Sequence, residues 1–443
     1  MITQVEALNF RCLHYIRRPL CPFQVLVGPN ASGKTTFLDV ISFLGRLVSD
    51  GLEAAIRDRT ENFQDLVWRR GHREEAPALI GEHSNKVSLS AFHSIDEKFE
   101  LAVEAAIPEA HRNKLPREHD RVRYEVSLGV DTETSEVELF AERVLLKTSS
   151  PVEGSQRDLF PADLQAPDTI LAPKMMKGSR TIINKVRGGN DNFYSEVEKD
   201  PSKGFKPAFR LGPRKSALGN LPDDELNFPV STWLRRLLSD GVQQFVLNSL
   251  VIRRPSPPGK GRGFRPDGSN LPWVVAMLEK SAPDRFRDWI AHVRTALPDI
   301  EMIRTVERSD DRHRYLIIRY AGGLDVPSWM ASDGTLRLLA LTLPAYLTDF
   351  KGIYLIEEPE NGIHPRAIEA VFPSLSSAYE AQILLATHSP VILGVANVDQ
   401  VLCFAKTESG ATDIASGSEH PKLREWRGET NLSVLFAAGV LGT

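Results

Sequence analysis

Three cysteines in 443 residues, Cys12, Cys21 and Cys403, are too few and too scattered for a disulfide framework or a thiolate metal site. They read as reduced thiols, which suits a cytoplasmic protein. No stretch approaches the ~18 uninterrupted apolar residues of a membrane span. The opening MITQVEALNFRCLHYI has no apolar run of the signal-peptide kind. The expectation is a soluble cytoplasmic protein with no membrane partner. A large excess of charge is missing too: 54 Lys and Arg face 58 Asp and Glu, a net −4. Any nucleic-acid contact must therefore come from a local patch. There is no fixed-period repeat and no heptad array, which excludes a solenoid or a long coiled-coil arm. Nuclease signatures are missing as well. No histidine cluster stands out, and Pro222-Asp223-Asp224-Glu225 lacks the lysine that would complete a PD…(D/E)xK pattern. What remains is an ordinary globular composition, 42% hydrophobic and 25% charged, long enough for two to three domains.

Against that background the stretch Gly28-Pro29-Asn30-Ala31-Ser32-Gly33-Lys34-Thr35-Thr36 stands out. It follows the apolar run Phe23–Val27 and opens a periodic segment with Phe37, Leu38, Val40, Ile41 and Leu44. Strand, glycine-rich loop and helix in that order are what a P-loop requires. Gly28 and Gly33 let backbone N–H groups of Asn30, Ser32 and their neighbours curl around phosphates, and the helix N-terminus adds its positive end. Lys34 would reach the β- and γ-phosphates, and the hydroxyl of Thr35, followed by Thr36, would meet Mg²⁺. The chain is expected to bind ATP. A chance glycine turn is the alternative, and the full GxxxxGK[ST] pattern with both flanks weighs against it.

Taken in order, residues 1–28 read as two strands joined by a basic turn, and the P-loop helix runs to about Asp58. The segment Asn62–Val67 follows, closed by the Arg69-Arg70-Gly71 turn. From about 86 to 146 the pattern has period two, with Val87–Phe92 and Val122–Leu128 as examples, and predicts an antiparallel sheet of three to five strands. Residues 147–222 hold few apolar runs and read as a loop-rich insertion. Helical periodicity returns at 231–250. The stretch from Arg253 to Arg265 carries five cations and no anion on a backbone too rich in Pro and Gly for a helix. It is either a solvated linker or a DNA contact. Two helices, about 271–280 and 283–297, precede a hairpin of 301–307 with 315–320. The fold class is α/β: a P-loop NTPase head with a mixed or parallel sheet, an antiparallel β-subdomain, and a helical, loop-rich mid-chain insertion. The divisions are 1–84, 85–150, 151–299 and 300–443.

Three later segments carry chemistry. Ser332-Asp333-Gly334-Thr335 opens a helix with the apolar stripe Leu336, Leu338, Leu339, Leu341 and Leu343. Ser332 is placed as its N-cap, an ordinary cap or a helix end aimed at an anion. Ile353–Ile356 is a buried parallel strand ending in Glu357 and Glu358. One carboxylate there can serve the Mg²⁺ shell and the next can orient or deprotonate a water. Pro359-Glu360-Asn361-Gly362 is a rigid turn that fixes both. Gln382–Thr387 is a second buried strand, capped by His388-Ser389-Pro390.

P-loop, SDGT, apolar-EE-P-x-N and THSP in this order resemble the ATP-binding-cassette superfamily. Within it the chain is similar to the soluble branch of recombination, chromosome-maintenance and overcoming-lysogenization-defect ATPases. It looks most like single-chain AAA-type ATPases of bacterial anti-phage and toxin–antitoxin-like operons. SDGTLRLLAL, IEEPENGIHP and ATHSP carry the likeness, with Asp267–Pro272 and Leu435–Gly442 beside them. It covers about 1–75 and 265–443 strongly. The resemblance implies a Mg²⁺-dependent ATP hydrolase, with Ser332 and Gly334 touching the γ-phosphate across a dimer interface. It places Glu357 where most relatives carry Asp, as metal ligand. Glu358 becomes the catalytic base, Asn361 the residue facing the partner, His388 the switch histidine and Gln64 the glutamine that senses Mg²⁺. It further implies an ATP-linked homodimer or higher oligomer that signals to a separately encoded nuclease or toxin in phage defence. The chain ends about 55 residues after His388, too short for the nuclease domain that relatives append there. The rival reading is a repair or recombination ATPase acting directly on DNA through 253–265. A transporter ATPase fits poorly, since its signature is nearer LSGGQ than ASDGT.

Overall fold

The computed structural model describes residues 1–68, 98–149, 157–173, 178–198, 208–259, 263–378 and 380–425, with positions 432 and 434. Val87–Phe92, the Arg69-Arg70-Gly71 turn, Lys260, Arg262 and Leu435–Gly442 lie outside the described residues. Three sheets organise the rest. The first has eight antiparallel strands, formed by β1 (Ile2–Phe10), β2 (Leu13–Pro19), β4 (Lys98–Ala106), β5 (Arg121–Val130), β6 (Val137–Lys147), β7 (Ser179–Val186), β8 (Asp191–Phe193) and β9 (Ala208–Phe209). Their order is β2-β1-β4-β5-β6-β7-β8-β9.

The second sheet holds the site. It comprises β3 (Phe23–Val27), β10 (Val242–Phe245), β14 (Gly352–Glu357), β15 (Ala381–Ala386), β16 (Val401–Lys406) and β17 (Thr412–Ser416), in the order β10-β14-β15-β3-β16-β17. All neighbours run parallel except β16 and β17. IYLI and ILLA are continuous apolar runs, and FQVLV is broken by Gln24 alone, because helices or the other sheet cover both faces. Leu26, Leu355 and Leu384 face the core shared with helix α1 (Lys34–Asp50) and the eight-stranded sheet. Val25, Ile356 and Leu385 face the core formed with helices 271–281, 333–342 and 365–376. The third sheet is the small antiparallel set β11 (Ile300–Glu307), β12 (Arg314–Tyr320) and β13 (Leu324–Pro327).

Several elements differ from the sequence expectation. Residues 1–28 form three strands, and the basic turn is Arg11-Cys12, with Asn9 and Arg11 in left-handed backbone. The P-loop helix stops at Asp50, because Gly51 takes φ +88, and a second helix, α2, spans Leu52–Arg57. Residues 231–250 are not one helix. The helix ends at Ser239, and β10 follows the Asp240-Gly241 turn to become the edge of the second sheet. The antiparallel sheet exceeds five strands, since β1 and β2 precede it and β7–β9 extend it.

The eight-stranded sheet buries charge on one face. Arg123, Glu125 and Glu100 are all nearly inaccessible. The segment 157–173 straps across part of that face and supplies partners. Glu100 accepts the Ile170 N–H at 2.8 Å and Glu125 the Ala172 N–H at 2.9 Å, while Arg123 donates to the Ile170 carbonyl at 2.8 Å. Part of the stretch read as loop is therefore a fixed cover.

Candidate functional site

The P-loop links β3 to α1, and Gly33 caps the helix with φ +102. A side chain on Gly33 would collide with the Thr412 hydroxyl on β17, so glycine is required there by space as well as by backbone. The Thr412 hydroxyl itself donates to the Ser32 carbonyl at 2.9 Å and holds the loop against the sheet. Lys34 is only 7% exposed, and its ammonium donates to the carbonyls of Gly28 and Pro29, each at 2.9 Å. Burial pulls its pKa down to about 8, against the opposing charges of Glu358, Glu357 and Glu360. The Ser32 hydroxyl is buried and makes no hydrogen bond within the described protein. A buried cation and an orphaned hydroxyl beneath a helix N-terminus suit a polyphosphate.

β14 ends beside this loop because it is two strands from β3 in the sheet, separated by β15. Both oxygens of Glu357 are held: Thr35 Oγ1 donates to one at 2.5 Å and Gln244 Nε2 to the other at 3.1 Å. A hydroxyl and a carboxylate, both hard oxygen donors, fit Mg²⁺, which is commonly bound by few protein ligands plus phosphates and water. Glu358 sits in left-handed backbone, φ +46, unusual for a residue with a side chain. Its N–H donates to the Ala386 carbonyl at 2.8 Å, and its carboxylate accepts Asn361 Nδ2 at 2.5 Å. That backbone twist turns Glu358 out of the strand and into the cleft.

His388 joins from the end of β15. Burial and the Lys34 ammonium push its pKa below the ordinary value, while Glu358 and Glu360 pull the other way. The ring is neutral near pH 7. Glu360, one residue before Asn361, accepts both the Thr387 hydroxyl at 2.7 Å and the His388 N–H at 2.9 Å. The turn after β14 is thereby fastened to the end of β15.

Asn30, Ser32, Gly33, Lys34, Thr35, Thr36, Glu357, Glu358 and His388 all line one cleft of about 610 Å³. Gly28 lies beneath it as an acceptor for Lys34. Gln64 does not line it. Its short 3-10 turn, Phe63–Leu66, presents Asp65 instead. Gln244, on β10, reaches the site by donating to Glu357, a contact that sequence reasoning missed. Its signal was the Gln243-Gln244 pair just after Asp240-Gly241, a turn followed by a strand too short to read. Glu360 was missed as a partner because an acid in a turn reads as solvated. Ser332, Gly334 and Asn361 are not among the cleft's described lining residues. Ser332 caps the helix Asp333–Thr342, accepting the Thr335 N–H at 3.1 Å. Gly334 packs so closely on the Glu358–Gly362 turn that a methyl there would meet the Gly362 carbonyl at 2.8 Å. Arg253, first of the cationic stretch, is committed to Asp333 at 2.7 Å.

The family model described as "AAA domain, putative AbiEii toxin, Type IV TA system" matches residues 23–394, most of the 443. The chain belongs to this family. It is an AAA-type ATPase. Its fold is similar to a solved structure titled "Crystal structure of the SmcHead bound to the C-winged helix domain of ScpA", with TM-score 0.52 and 14% identity, covering 94% of this chain and 97% of the other. In sequence it matches an OLD nuclease of Thermus scotoductus (strain ATCC 700910 / SA-01), 46% identical over 44 residues. That stretch is 10% of this chain and 8% of the nuclease. Among the described residues no helix is long and apolar enough to cross a membrane.

Proposed function

We propose that this AAA-family ATPase is a switch that dimerises around ATP and passes its state to a separately encoded effector, a nuclease or toxin, in anti-phage defence. The observation that carries it is the split of the motif residues into two places. Lys34, Thr35, Glu357, Glu358 and His388 line one cleft, while Ser332 and Gly334 sit on a helix end outside it. The surface beside that helix end carries exposed apolar side chains next to the Arg253–Asp333 ion pair: Trp329 is 43% and Met330 70% exposed, in a segment tied to Arg253. Such a surface suits a second copy whose cleft meets Ser332.

In this reading Lys34 and the amides of the P-loop bind the β- and γ-phosphates. Thr35 and Glu357 would hold Mg²⁺, with Gln244 fixing the Glu357 carboxylate. The metal, when bound, neutralises charge on the phosphates. Glu358 takes the proton of the attacking water, Asn361 fixes the Glu358 carboxylate beside the partner subunit, and neutral His388 contacts the γ-phosphate. Lys34→Ala and Glu358→Gln separate binding from hydrolysis. The first is expected to lose ATP affinity. The second keeps it, loses ~10²–10⁴ in rate, and accumulates as an ATP-bound dimer by light scattering. Native hydrolysis by Glu358→Gln rejects the assignment of the base.

A further inference from the structure

The cleft has a second end that the phosphate-binding residues leave unaccounted for. From Thr35, beside Glu357, the wall passes to Thr36, whose hydroxyl lies 3.4 Å from Cys12 Sγ, and from Cys12 to Arg11, Trp68 and Lys406. This direction leads away from Glu357 and Glu358, and Asp65 lines the cleft beside it. Among the described lining residues, Trp68 carries the one indole or phenyl ring. It is held in three ways. These are main-chain contacts: the Trp68 backbone N–H donates to the Asn9 carbonyl at 2.9 Å, its neighbour Val67 bridges Phe10, and the Arg11 backbone N–H donates to the Leu66 carbonyl at 2.8 Å. The His14 ring covers one side of the indole, stacked at 5.6 Å between centroids and 26°. Asn9 and Arg11, in the turn that meets the Trp68 backbone, take left-handed backbone, a local cost at that contact. A half-buried indole so fixed is a preformed stacking surface, and ordering it on binding costs little.

We propose that Trp68 stacks on the base of the bound nucleotide and makes the site selective for purine nucleoside triphosphates. The inference rests on the reading of the P-loop as the phosphate site, which sets the direction in which the nucleoside extends. A stacked base is recognised by the area of its face, so purines exceed pyrimidines while adenine and guanine differ little.

Calorimetry on the full chain with ADP, GDP, CDP and inorganic pyrophosphate tests this without turnover. The native protein is expected to bind ADP and GDP within a few-fold of each other and CDP more weakly. Trp68→Ala is expected to lose ~10- to 100-fold in ADP affinity, the range of one base–aromatic stack, and to keep its pyrophosphate affinity. Trp68→Phe is expected to recover most of the ADP loss. Unchanged pyrophosphate binding also shows that the variant is folded. ADP affinity unchanged in Trp68→Ala overturns the stack, and so does equal loss of ADP and pyrophosphate. If the native protein binds neither, or if Lys34→Ala binds both normally, the phosphate site itself is wrong and the proposal falls with it.

Discussion

Lys34 is the residue on which the site's chemistry turns, and its environment makes a pH prediction. Burial brings the ammonium's pKa down to about 8 from an ordinary 10.5. Phosphate oxygens favour the charged form, so nucleotide binding raises that pKa again. Below about pH 7 the free protein already carries the proton and affinity is flat. Above about 8 the lysine must take up a proton to bind. Affinity then falls as pH rises, by up to ~tenfold per unit. Calorimetry at pH 9 in buffers of different ionisation enthalpy is expected to register uptake of close to one proton, absent at pH 7. No pH dependence in this window would mean that Lys34 does not meet the phosphates. At this scale most of the site was legible in the sequence. Lys34, Thr35, Glu357, Glu358 and His388 lie in contiguous motifs whose spacing follows from strand ends. Gln244 and Glu360 were not, because what they do depends on which strand lies beside β14 and which turn meets β15. Neither contact leaves a local pattern in the chain.

Among the elements, the buried strands and the helix Asp333–Thr342 were readable because apolar runs and an N-cap are local signals. The edge strand β10 was hidden by four residues that continued an apolar helical pattern past Gly241. Packing explains what a list of motifs leaves unexplained, namely why glycine follows Asp333. Gly334 brings the helix end against Gly362, in the turn whose Asn361 and Glu360 hold Glu358 and the end of β15. A methyl at 2.8 Å from a backbone carbonyl cannot be absorbed by a side-chain rotation. Gly334→Ala is expected to cost ~1–3 kcal/mol in stability, the usual range for overpacking, read from denaturant midpoints. It should also displace the turn, lowering kcat while leaving KM for ATP near native, since Lys34 and Thr35 are untouched. An equal change in KM would place Gly334 in nucleotide binding by its own subunit instead.

For the whole molecule, the question is whether one chain hydrolyses ATP alone. The cleft contains Lys34, Thr35, Glu357 and Glu358, the residues proposed to hold the phosphates and the metal and to supply the base. The helix end with Ser332 faces elsewhere, beside exposed Trp329 and Met330. If that helix end completes the cleft of a second copy, damage to the two halves must complement. Ser332→Arg alone places a bulky cation against a partner's phosphates, so hydrolysis is expected to vanish while binding of ATP to the isolated chain stays near native. Lys34→Ala alone loses binding. In a mixed dimer one of the two clefts combines native Lys34 with native Ser332, and the other carries both defects. Mixing equal amounts of the inactive proteins leaves about half of the dimers in this form under random pairing. If one intact cleft suffices, the mixture recovers roughly a quarter of native activity, whereas neither parent recovers any on concentration. Activity should also rise faster than linearly with protein at dilutions where monomers prevail. Hydrolysis strictly proportional to concentration in a sample shown by sedimentation to be monomeric would reject the composite site. A mixture that stays inactive although sedimentation shows mixed dimers would mean that both clefts must fire together.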